Sequence, residues 1–252
     1  MDAWWFPALF ATGLAAGYVD AIAGGGGLIT VPVLLATGMS PADALGTNKF
    51  QSSCGTTLAT VRYARHGLFA GGNWSLGIAA TLAGAVAGAV AVQRMHADFL
   101  RPVIPVLLVV IAVYLAIKPD LGREARPPRL SESVFALVFG FGLGFYDGFF
   151  GPGTGSFWMM SCMLLLGRDL LAATAHTKVM NLTSNLASLV VFLVTGHVRF
   201  AVGLTMAAGQ LIGGWLGAHT AVRGGARLIR PLFLTVVIVL AIKLGWDAVV
   251  RR

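Results

Sequence analysis

Charged residues are scarce in this sequence. Asp, Glu, Lys and Arg together make up 11% of its 252 residues, whereas an ordinary soluble domain has about 25%. A chain of this length therefore has too little charge to cover the surface of a soluble fold. Hydrophobic residues make up 57% and the mean hydropathy is +0.81, and several apolar runs exceed the roughly 18 residues that mark a membrane-spanning helix. We therefore predict an all-α polytopic membrane protein, multi-pass in the cell (inner) membrane.

Cysteines and metal-ligand patterns are also scarce. The two cysteines, Cys54 and Cys162, each lie inside an apolar segment without a CxxC pair, as is typical of small buried hydrophobic residues. The five histidines do not show metal-ligand spacing, and only His176, beside Thr177, is of interest. No nucleophile–base pair is evident. We therefore expect no metal, no cofactor and no enzymatic activity.

The net charge of +8 does not indicate nucleic-acid binding. The arginines cluster in the short connections, as the positive-inside rule predicts for a membrane protein. No basic face is interleaved with aromatic residues, as it would be in a nucleic-acid interface. The expected partners are the lipid bilayer and a small substrate, with no nucleic acid.

Eight hydrophobic segments organise the chain. They lie at about 6–37, 42–64, 73–93, 102–117, 134–166, 170–195, 199–221 and 230–249. One strongly polar stretch divides them into two sets of four. We predict an N-terminal repeat at 1–117, a polar linker at 118–132 and a C-terminal repeat at 133–252.

The two halves are related by duplication. Asp20 and Asp147 are 127 positions apart, and each precedes a group of glycines. Beyond the glycines the offset becomes 129, which relates Lys49 to Lys178, Gly84 to Gly213, Gly88 to Gly217 and Pro102 to Pro231. Rare residue types that recur at one offset indicate a tandem repeat of a four-segment unit. The glycine pairs, at small-xxx-small spacing, also favour close packing of neighbouring helices.

The relative orientation of the repeats depends on the first segment of each. If that segment crosses the bilayer, each half crosses four times and the halves are parallel; if it is re-entrant, each half crosses three times and the halves are inverted. The positive-inside rule does not decide, because Lys and Arg are distributed alike under both schemes. We favour inverted repeats, because carriers with broken helices commonly use them.

Glycines interrupt the first segment of each half, at 24–27 and at 151, 153 and 155. Each costs a helix interior roughly 1 kcal/mol relative to alanine, so we predict a break at both places. The helix that restarts offers unpaired backbone N–H groups and the positive end of its dipole to an anion. Paired interruptions of this kind point to the midplane binding site of a transporter. The candidate residues are Gly25, Gly26, Gly27, Gly153 and Thr154. The alternative is that the glycines serve only close helix packing.

A polar stripe follows each interruption. At helical spacing it contains Lys49 and Ser53 in the first half and Lys178, Asn181 and Asn185 in the second. A lysine in a membrane segment usually faces a cavity, a partner or a substrate. The candidate substrate-binding residues are Thr47, Asn48, Lys49, Ser53, Thr177, Lys178, Asn181 and Asn185. Together with the helix N-termini they describe a site for an oxyanion, although Lys49 is also close enough to the segment end to snorkel.

Asp20 and Asp147 precede the two breaks. Three roles are open: they can carry a coupling proton, pair with Lys49 and Lys178, or cap exposed backbone N–H groups. Capping or pairing is favoured over proton transfer.

The sequence resembles the TauE/SafE family of membrane transporters. The resemblance rests on Gly17-Tyr-Val-Asp20-Ala-Ile-Ala-Gly-Gly-Gly-Gly-Leu-Ile-Thr-Val-Pro32, on Gly46-Thr47-Asn48-Lys49, and on their counterparts Asp147-x-x-x-Gly-Pro-Gly-x-Gly and Thr177-Lys178-x-x-Asn181. It implies export of sulfur oxyanions such as sulfite, sulfoacetate and related organosulfonates. The half-sites are not identical, because Thr154 stands where the first copy has Gly27 and His176 where it has Thr47.

The leading hypothesis is therefore an exporter of a small sulfur-containing oxyanion such as sulfite or sulfoacetate, bound near the midplane between the two repeats. The alternative is an H⁺- or Na⁺-coupled transporter of another small anion that uses Asp20 and Asp147. An intramembrane enzyme is disfavoured by the lack of a nucleophile–base pair. A homodimer is left open.

Overall fold

The computed structural model describes residues 5–69, 74–94 and 124–250, and all regular secondary structure in these ranges is helical. The helices are α1 (Trp5–Ala23), α2 (Gly26–Ala36), α3 (Pro41–Arg65), α4 (Trp74–Val92), α5 (Glu132–Phe149), α6 (Thr154–Leu165), α7 (Leu170–Val194) and α8 (Phe200–Val250). The hydrophobic segment at about 102–117 and most of the predicted linker lie outside the described residues. The all-α fold predicted from composition is confirmed.

Both predicted breaks are present. The first separates α1 from α2 at Gly24 and Gly25, and the second separates α5 from α6 at residues 150–153. Gly24, Gly151 and Gly153 have φ of +69°, +90° and +85°, in the left-handed region that residues with a Cβ rarely adopt. The glycines are therefore needed for the chain reversal as well as for the end of the helix.

Each broken segment forms a helical hairpin. At the open end of the first hairpin, Leu9 of α1 packs in one cluster with Leu34 of α2. In the second hairpin, the backbone N–H of Leu130, just before α5, donates to the carbonyl oxygen of Leu165, the last residue of α6, at 3.1 Å. The short helices have 11 and 12 residues, about 16–18 Å, which is too short for a hydrocarbon core of about 30 Å. By length and direction, α2 and α6 turn back.

The two hairpins meet at their tips. The backbone N–H of Gly155 donates to the carbonyl oxygen of Gly24 at 3.1 Å, and the Ser156 hydroxyl donates to that of Ala23 at 3.0 Å. A Cβ at Gly24 would lie 2.4 Å from the Gly155 Cα. The tips can approach this closely only because both residues are glycine.

The long helices form two sets that run in opposite directions. The first set is α1, α3 and α8: Gly13 and Gly17 of α1 contact Met206 and Gln210 of α8 in the same order. The second set is α4, α5 and α7, in which Gly140, Gly144 and Gly148 of α5 contact Gly77, Thr81 and Ala85 of α4 in order. Between the sets, Lys49 of α3 contacts Asn185 of α7 while Thr60 contacts Lys178, so α3 and α7 are antiparallel.

The close helix packing expected at the repeated glycine pairs is confirmed. A Cβ at Gly84 or Gly88 would lie within 2.2 Å of a backbone oxygen of α5. At Gly213 and Gly217 it would lie within 2.4 Å of a backbone oxygen of α1. Small residues let the backbones of these helices touch. The van der Waals contact that results favours helix association in lipid, where the hydrophobic effect does not act between helices.

The end of the chain differs from the prediction. We expected separate segments at about 199–221 and 230–249, but α8 is one helix of 51 residues. Gly224 and Gly225 weaken a helix without removing a hydrogen bond, and Pro231 removes only one. At about 75 Å the helix exceeds one bilayer crossing, and its part from Phe200 to Gly224 is the candidate span.

The surface has the polarity expected in lipid. Four described helices or helix parts are long and apolar enough to cross a membrane: α1, α4, α7 and the first part of α8. Large apolar side chains such as Val138, Val190 and Leu204 point outward, whereas many polar side chains of α3 and α7 are buried. This arrangement fits a multi-pass membrane protein whose polar interior lies between α3 and α7.

Candidate functional site

Two fully buried lysines lie beside the hairpin tips. Their side chains are 1% and 0% exposed for Lys49 and Lys178. Lys49 Nζ lies 2.9 Å from Asp147 Oδ1, and Lys178 Nζ lies 3.3 Å from Asp20 Oδ2 and also donates to the Asp20 backbone oxygen. Neither ammonium group snorkels to the surface. Three roles were open for the aspartates, and in the structure each aspartate pairs with a lysine.

Each ion pair joins one repeat to the other. Asp20 lies in the last turn of α1 in the first half but pairs with α7 in the second, and Asp147 of α5 pairs with α3. The antiparallel arrangement of α3 and α7 brings each lysine to the opposite hairpin. Two positive and two negative charges therefore balance within the buried region, as burial of charge requires.

Asp147 is held by further hydrogen bonds. Its Oδ1 accepts from the Thr154 hydroxyl at 3.0 Å, and its Oδ2 accepts from the Ser184 hydroxyl. Asn185 Oδ1 accepts from Lys49 Nζ at 3.2 Å. This half-site is thus a closed network in which each charged group has more than one partner.

Asn48 forms a second network beside α2. Its Oδ1 accepts from the Thr30 hydroxyl at 2.5 Å and from Gln51 Nε2 at 2.9 Å. A Cβ at Gly27 would lie 3.7 Å from Asn48 Nδ2 and 3.4 Å from the Pro152 Cα. The first turn of α2 therefore lies between Asn48 and the opposite hairpin.

The helix N-termini differ in their free donors. Gly25 and Gly153 are the N-caps of α2 and α6, and neither helix has a side-chain cap. In α6 the first-turn N–H groups of Thr154, Gly155 and Ser156 already donate to backbone oxygens. Among the described residues, the N–H groups of Gly26 and Gly27 have no such acceptor. The α2 terminus is thus the one with donors available to an anion.

Several buried polar atoms between α3 and α7 also have no hydrogen-bond partner among the described residues. They are Thr56 Oγ1, Asn181 Oδ1 and Ser188 Oγ. Buried polar groups are normally satisfied, so these mark where a polar ligand or water belongs. They extend the two lysine stripes along the helix interface.

Not all predicted residues contact the ion pairs. The hydroxyls of Ser53 and Thr177 donate to backbone oxygens of their own helices, at 2.7 and 2.8 Å. The Thr47 hydroxyl accepts from the backbone N–H of Arg199 at 3.0 Å, toward the α7–α8 connection. Asn48 lies beside α2, and the remaining predicted residues lie at the hairpin tips or along the facing stripes.

Sequence reasoning missed three residues of these networks, Ser184, Thr30 and Gln51. Ser184 lies one turn beyond Asn181 on the same helix, so its helical spacing was a usable signal. Thr30 lies in an apolar run, and only its packing against Asn48 reveals it. Within the described residues no group of three His, Cys, Asp or Glu side chains is arranged to hold a metal ion.

Comparison with known proteins places this chain in a transporter family. A family model described as "Sulfite exporter TauE/SafE" matches residues 9–244. The chain is 43% identical over 240 residues to the probable membrane transporter protein YfcA of Escherichia coli K12, which covers 95% of this chain and 89% of that protein. It is also 43% identical over 240 residues to a probable membrane transporter protein of Haemophilus influenzae, an alignment that covers 95% of this chain and 94% of that protein. The probable membrane transporter protein YunE of Bacillus subtilis is 23% identical to this chain, and the alignment covers 97% of this chain and 98% of that protein. No solved structure matches the chain.

Proposed function

The chain belongs to the sulfite exporter TauE/SafE family and is a membrane transporter, and on that premise we propose that it exports a small sulfur oxyanion such as sulfite or sulfoacetate. The observation that carries the proposal is the pair of buried lysines, one from each repeat, beside the hairpin tips. An ammonium group buried in a membrane protein is costly and is typical of a substrate or ion pathway.

The binding step follows from the charge balance of the site. In the structure each lysine is occupied by an aspartate, so an incoming anion must replace a carboxylate. Its oxygens accept hydrogen bonds from Lys49 and Lys178, and the free N–H groups of Gly26 and Gly27 supply further donors. Asn181 and Asn185 line the same interface from α7.

The aspartates act as internal substitutes for the substrate. Removing one partner of a buried ion pair typically costs about 3–5 kcal/mol, because a bare charge stays behind. When the anion leaves, the return of Asp147 to Lys49 and of Asp20 to Lys178 avoids that cost. The empty carrier is therefore neutral at its centre, and the loaded carrier has the charge of the anion.

Membrane potential gives this cycle a direction. One elementary charge crossing 100 mV gains about 2.3 kcal/mol. Because the cell interior is negative, the loaded carrier moves its anion outward. Export then requires no coupling ion.

Inverted repeats supply the alternation between the two sides. The opposite directions of α3 and α7 and the meeting of the hairpin tips at Gly24 and Gly155 support this arrangement. Movement of one hairpin relative to the other would open the ion pairs to one side at a time.

A proton-coupled carrier is the second candidate. It is favoured by the direct contact between each carboxylate and its lysine, because a proton on Asp20 or Asp147 would release the ammonium group for an anion. In that case transport would respond to a proton gradient even at zero membrane potential.

Flux of sulfite in reconstituted vesicles tests the proposal. We expect wild-type flux to rise with a membrane potential that drives anions, and to fall by at least about a hundredfold in Lys49→Ala and in Lys178→Ala. Arg65→Ala, which removes an exposed cation at the end of α3, is the matched control and should transport normally. Undiminished flux in both lysine variants would refute the site, and dependence on the proton gradient alone would favour the second candidate.

A further inference from the structure

A small cavity lies away from the lysines, where α4 and α5 begin and α6 ends. Its volume is about 30 Å³, and the rings of Trp74, Phe135 and Trp158 form much of its wall. His176 lines it from α7, and Arg168 from the α6–α7 connection. The cavity has room for roughly two or three water-sized atoms, about the size of one small oxyanion group.

Two buried nitrogen atoms in this lining have no hydrogen-bond partner among the described residues. They are Trp158 Nε1 and His176 Nδ1, on residues that are 1% and 8% exposed. An unpaired buried donor costs about 1–3 kcal/mol. The indole N–H can only donate, so the missing partner must be an acceptor.

Arg168 determines the charge that the cavity accepts. Its guanidinium stacks over Trp74 at 5.6 Å and lies 3.2 Å from Glu132 Oε1. The aromatic wall is therefore already occupied by a cation, which excludes a second one. An anion can share Arg168 because Glu132 is more than half exposed and is free to turn away.

The first repeat has no equivalent of this arrangement. At the offset of 129, His176 corresponds to Thr47 and Trp74 to Gly203. Thr47 is already bonded to the backbone of Arg199, and Gly203 lies against Phe50. The aromatic lining and the unpaired nitrogens are thus not required by the repeated fold.

We propose that this cavity is a second oxyanion site, which holds a sulfite or sulfonate group through Trp158 Nε1, His176 Nδ1 and Arg168. Histidine donates there in the tautomer with a proton on Nδ1. The identity of the ligand rests on the proposed function, because the transported anion is the acceptor of suitable size and charge. The site receives the anion at one face of the protein, separately from Lys49 and Lys178.

Tryptophan fluorescence provides the test, because Trp74 and Trp158 both line the cavity. Purified full-length protein is titrated with sodium sulfite, with sodium chloride at equal ionic strength as the reference. We expect a saturable change that Trp158→Phe removes. Arg168→Gln should weaken the apparent affinity by about tenfold or more, whereas Glu132→Gln should strengthen it because Arg168 loses its competing carboxylate. Arg65→Gln is the control and should leave the titration unchanged.

The outcomes separate this site from the transport site. A Lys49→Ala, Lys178→Ala double variant should lose flux but keep the fluorescence titration. In protein that keeps the wild-type helical signal, a titration that disappears with the lysines, or that is unaffected by both Arg168→Gln and Trp158→Phe, would overturn the proposal. So would a titration that sodium chloride reproduces, since the signal would then report ionic strength or any anion and not an oxyanion. Because Glu132 is more than half exposed and Arg168 is partly exposed, their variants stay informative even if Trp158→Phe does not fold. A normal titration without sulfite flux would refute the proposed function alone.

Discussion

At the scale of single residues, the pairing of each lysine with an aspartate of the other repeat is the main feature of the molecule. Within one repeat, Asp20 and Lys49 would have been the natural partners. The structure instead pairs Lys49 with Asp147 and Lys178 with Asp20. The ion pairs therefore join the two halves at their polar centre, and their loss should lower the stability of the protein.

A double-variant cycle tests the cross-repeat pairing. Lys49→Met leaves the Asp147 carboxylate buried without its cation, so we expect a loss of about 3–5 kcal/mol in the free energy of unfolding. Adding Asp147→Asn removes the unpaired charge and should recover a large part of that loss. Thermal denaturation in detergent, monitored by the retained helical signal, measures both.

The matched control is Lys49→Met combined with Asp20→Asn. It changes the same number of charges but leaves Asp147 unpaired, and it removes the partner of Lys178 as well. We expect it to be less stable than Lys49→Met alone. Equal recovery with Asp20→Asn and Asp147→Asn would contradict the pairing seen in the structure.

The sequence predicted which residues lie in this region better than it predicted their contacts. The burial of Lys49 and Lys178 follows from their position in apolar segments. Their partners could not be predicted, because the contact depends on the antiparallel approach of α3 and α7. Ser53 and Thr177 share the stripe, but their hydroxyls bond to the preceding turn of their own helix, a competition that sequence spacing does not reveal.

At the scale of helices, the contact between the hairpin tips determines the geometry of the site. Gly24 and Gly155 lie so close that a Cβ on Gly24 would be 2.4 Å from the Gly155 Cα. Gly24 also has φ of +69°. Any side chain at Gly24 must move the tips apart. The lysine of each repeat would then lose its aspartate on the opposite hairpin.

Alanine at two glycines separates the effect of packing from that of backbone strain. Gly38 has φ of +86° but no atom within 4 Å of its Cβ position. Gly38→Ala should therefore cost only about 1 kcal/mol of stability and keep most sulfite flux. Gly24→Ala adds the clash with Gly155, so we expect a larger loss of stability and flux reduced at least tenfold. Similar behaviour of the two variants, in thermal denaturation and in vesicle flux, would argue against a functional contact between the tips.

The sequence predicted the helix breaks but not the return of the chain. Four consecutive glycines are sufficient reason for the break before α2. Segment length did not distinguish a crossing from a re-entrant hairpin, because the choice depends on packing such as that of Leu9 against Leu34. Conversely, the glycines and arginines near 222–229 suggested a connection, but nothing there prevents helical hydrogen bonds and α8 continues.

At the scale of the whole molecule, we propose from the two directions of the long helices that equivalent ends of the two halves lie on opposite sides of the membrane. His66 follows α3 and Thr195 follows α7, and the two positions correspond at the offset of 129. Both are exposed. Parallel repeats would place them on the same side.

Labelling from outside the cell tests this orientation. Single cysteines at His66→Cys and Thr195→Cys, in a chain with Cys54 and Cys162 replaced, are treated with a membrane-impermeant maleimide. We expect one of the two to react in intact cells and the other only after the membrane is permeabilised. Reaction of both in intact cells, or of neither, would indicate parallel repeats.

For the whole molecule, we propose that the aspartates stand in for the transported anion. If so, Asp147 competes with the substrate for Lys49 and also restores the neutral empty carrier. Loss of its charge should strengthen substrate binding and slow the return of the carrier. This combination distinguishes the claim from a merely structural role for the ion pair.

The most direct measurement is the concentration dependence of sulfite flux in vesicles that contain Asp147→Asn. We predict that KM falls by about tenfold, the size of one charge-assisted hydrogen bond, while the maximal rate also falls. Asp43→Asn, which removes a carboxylate paired with Arg199 away from the lysines, should leave KM unchanged. An unchanged or increased KM in Asp147→Asn would contradict the account.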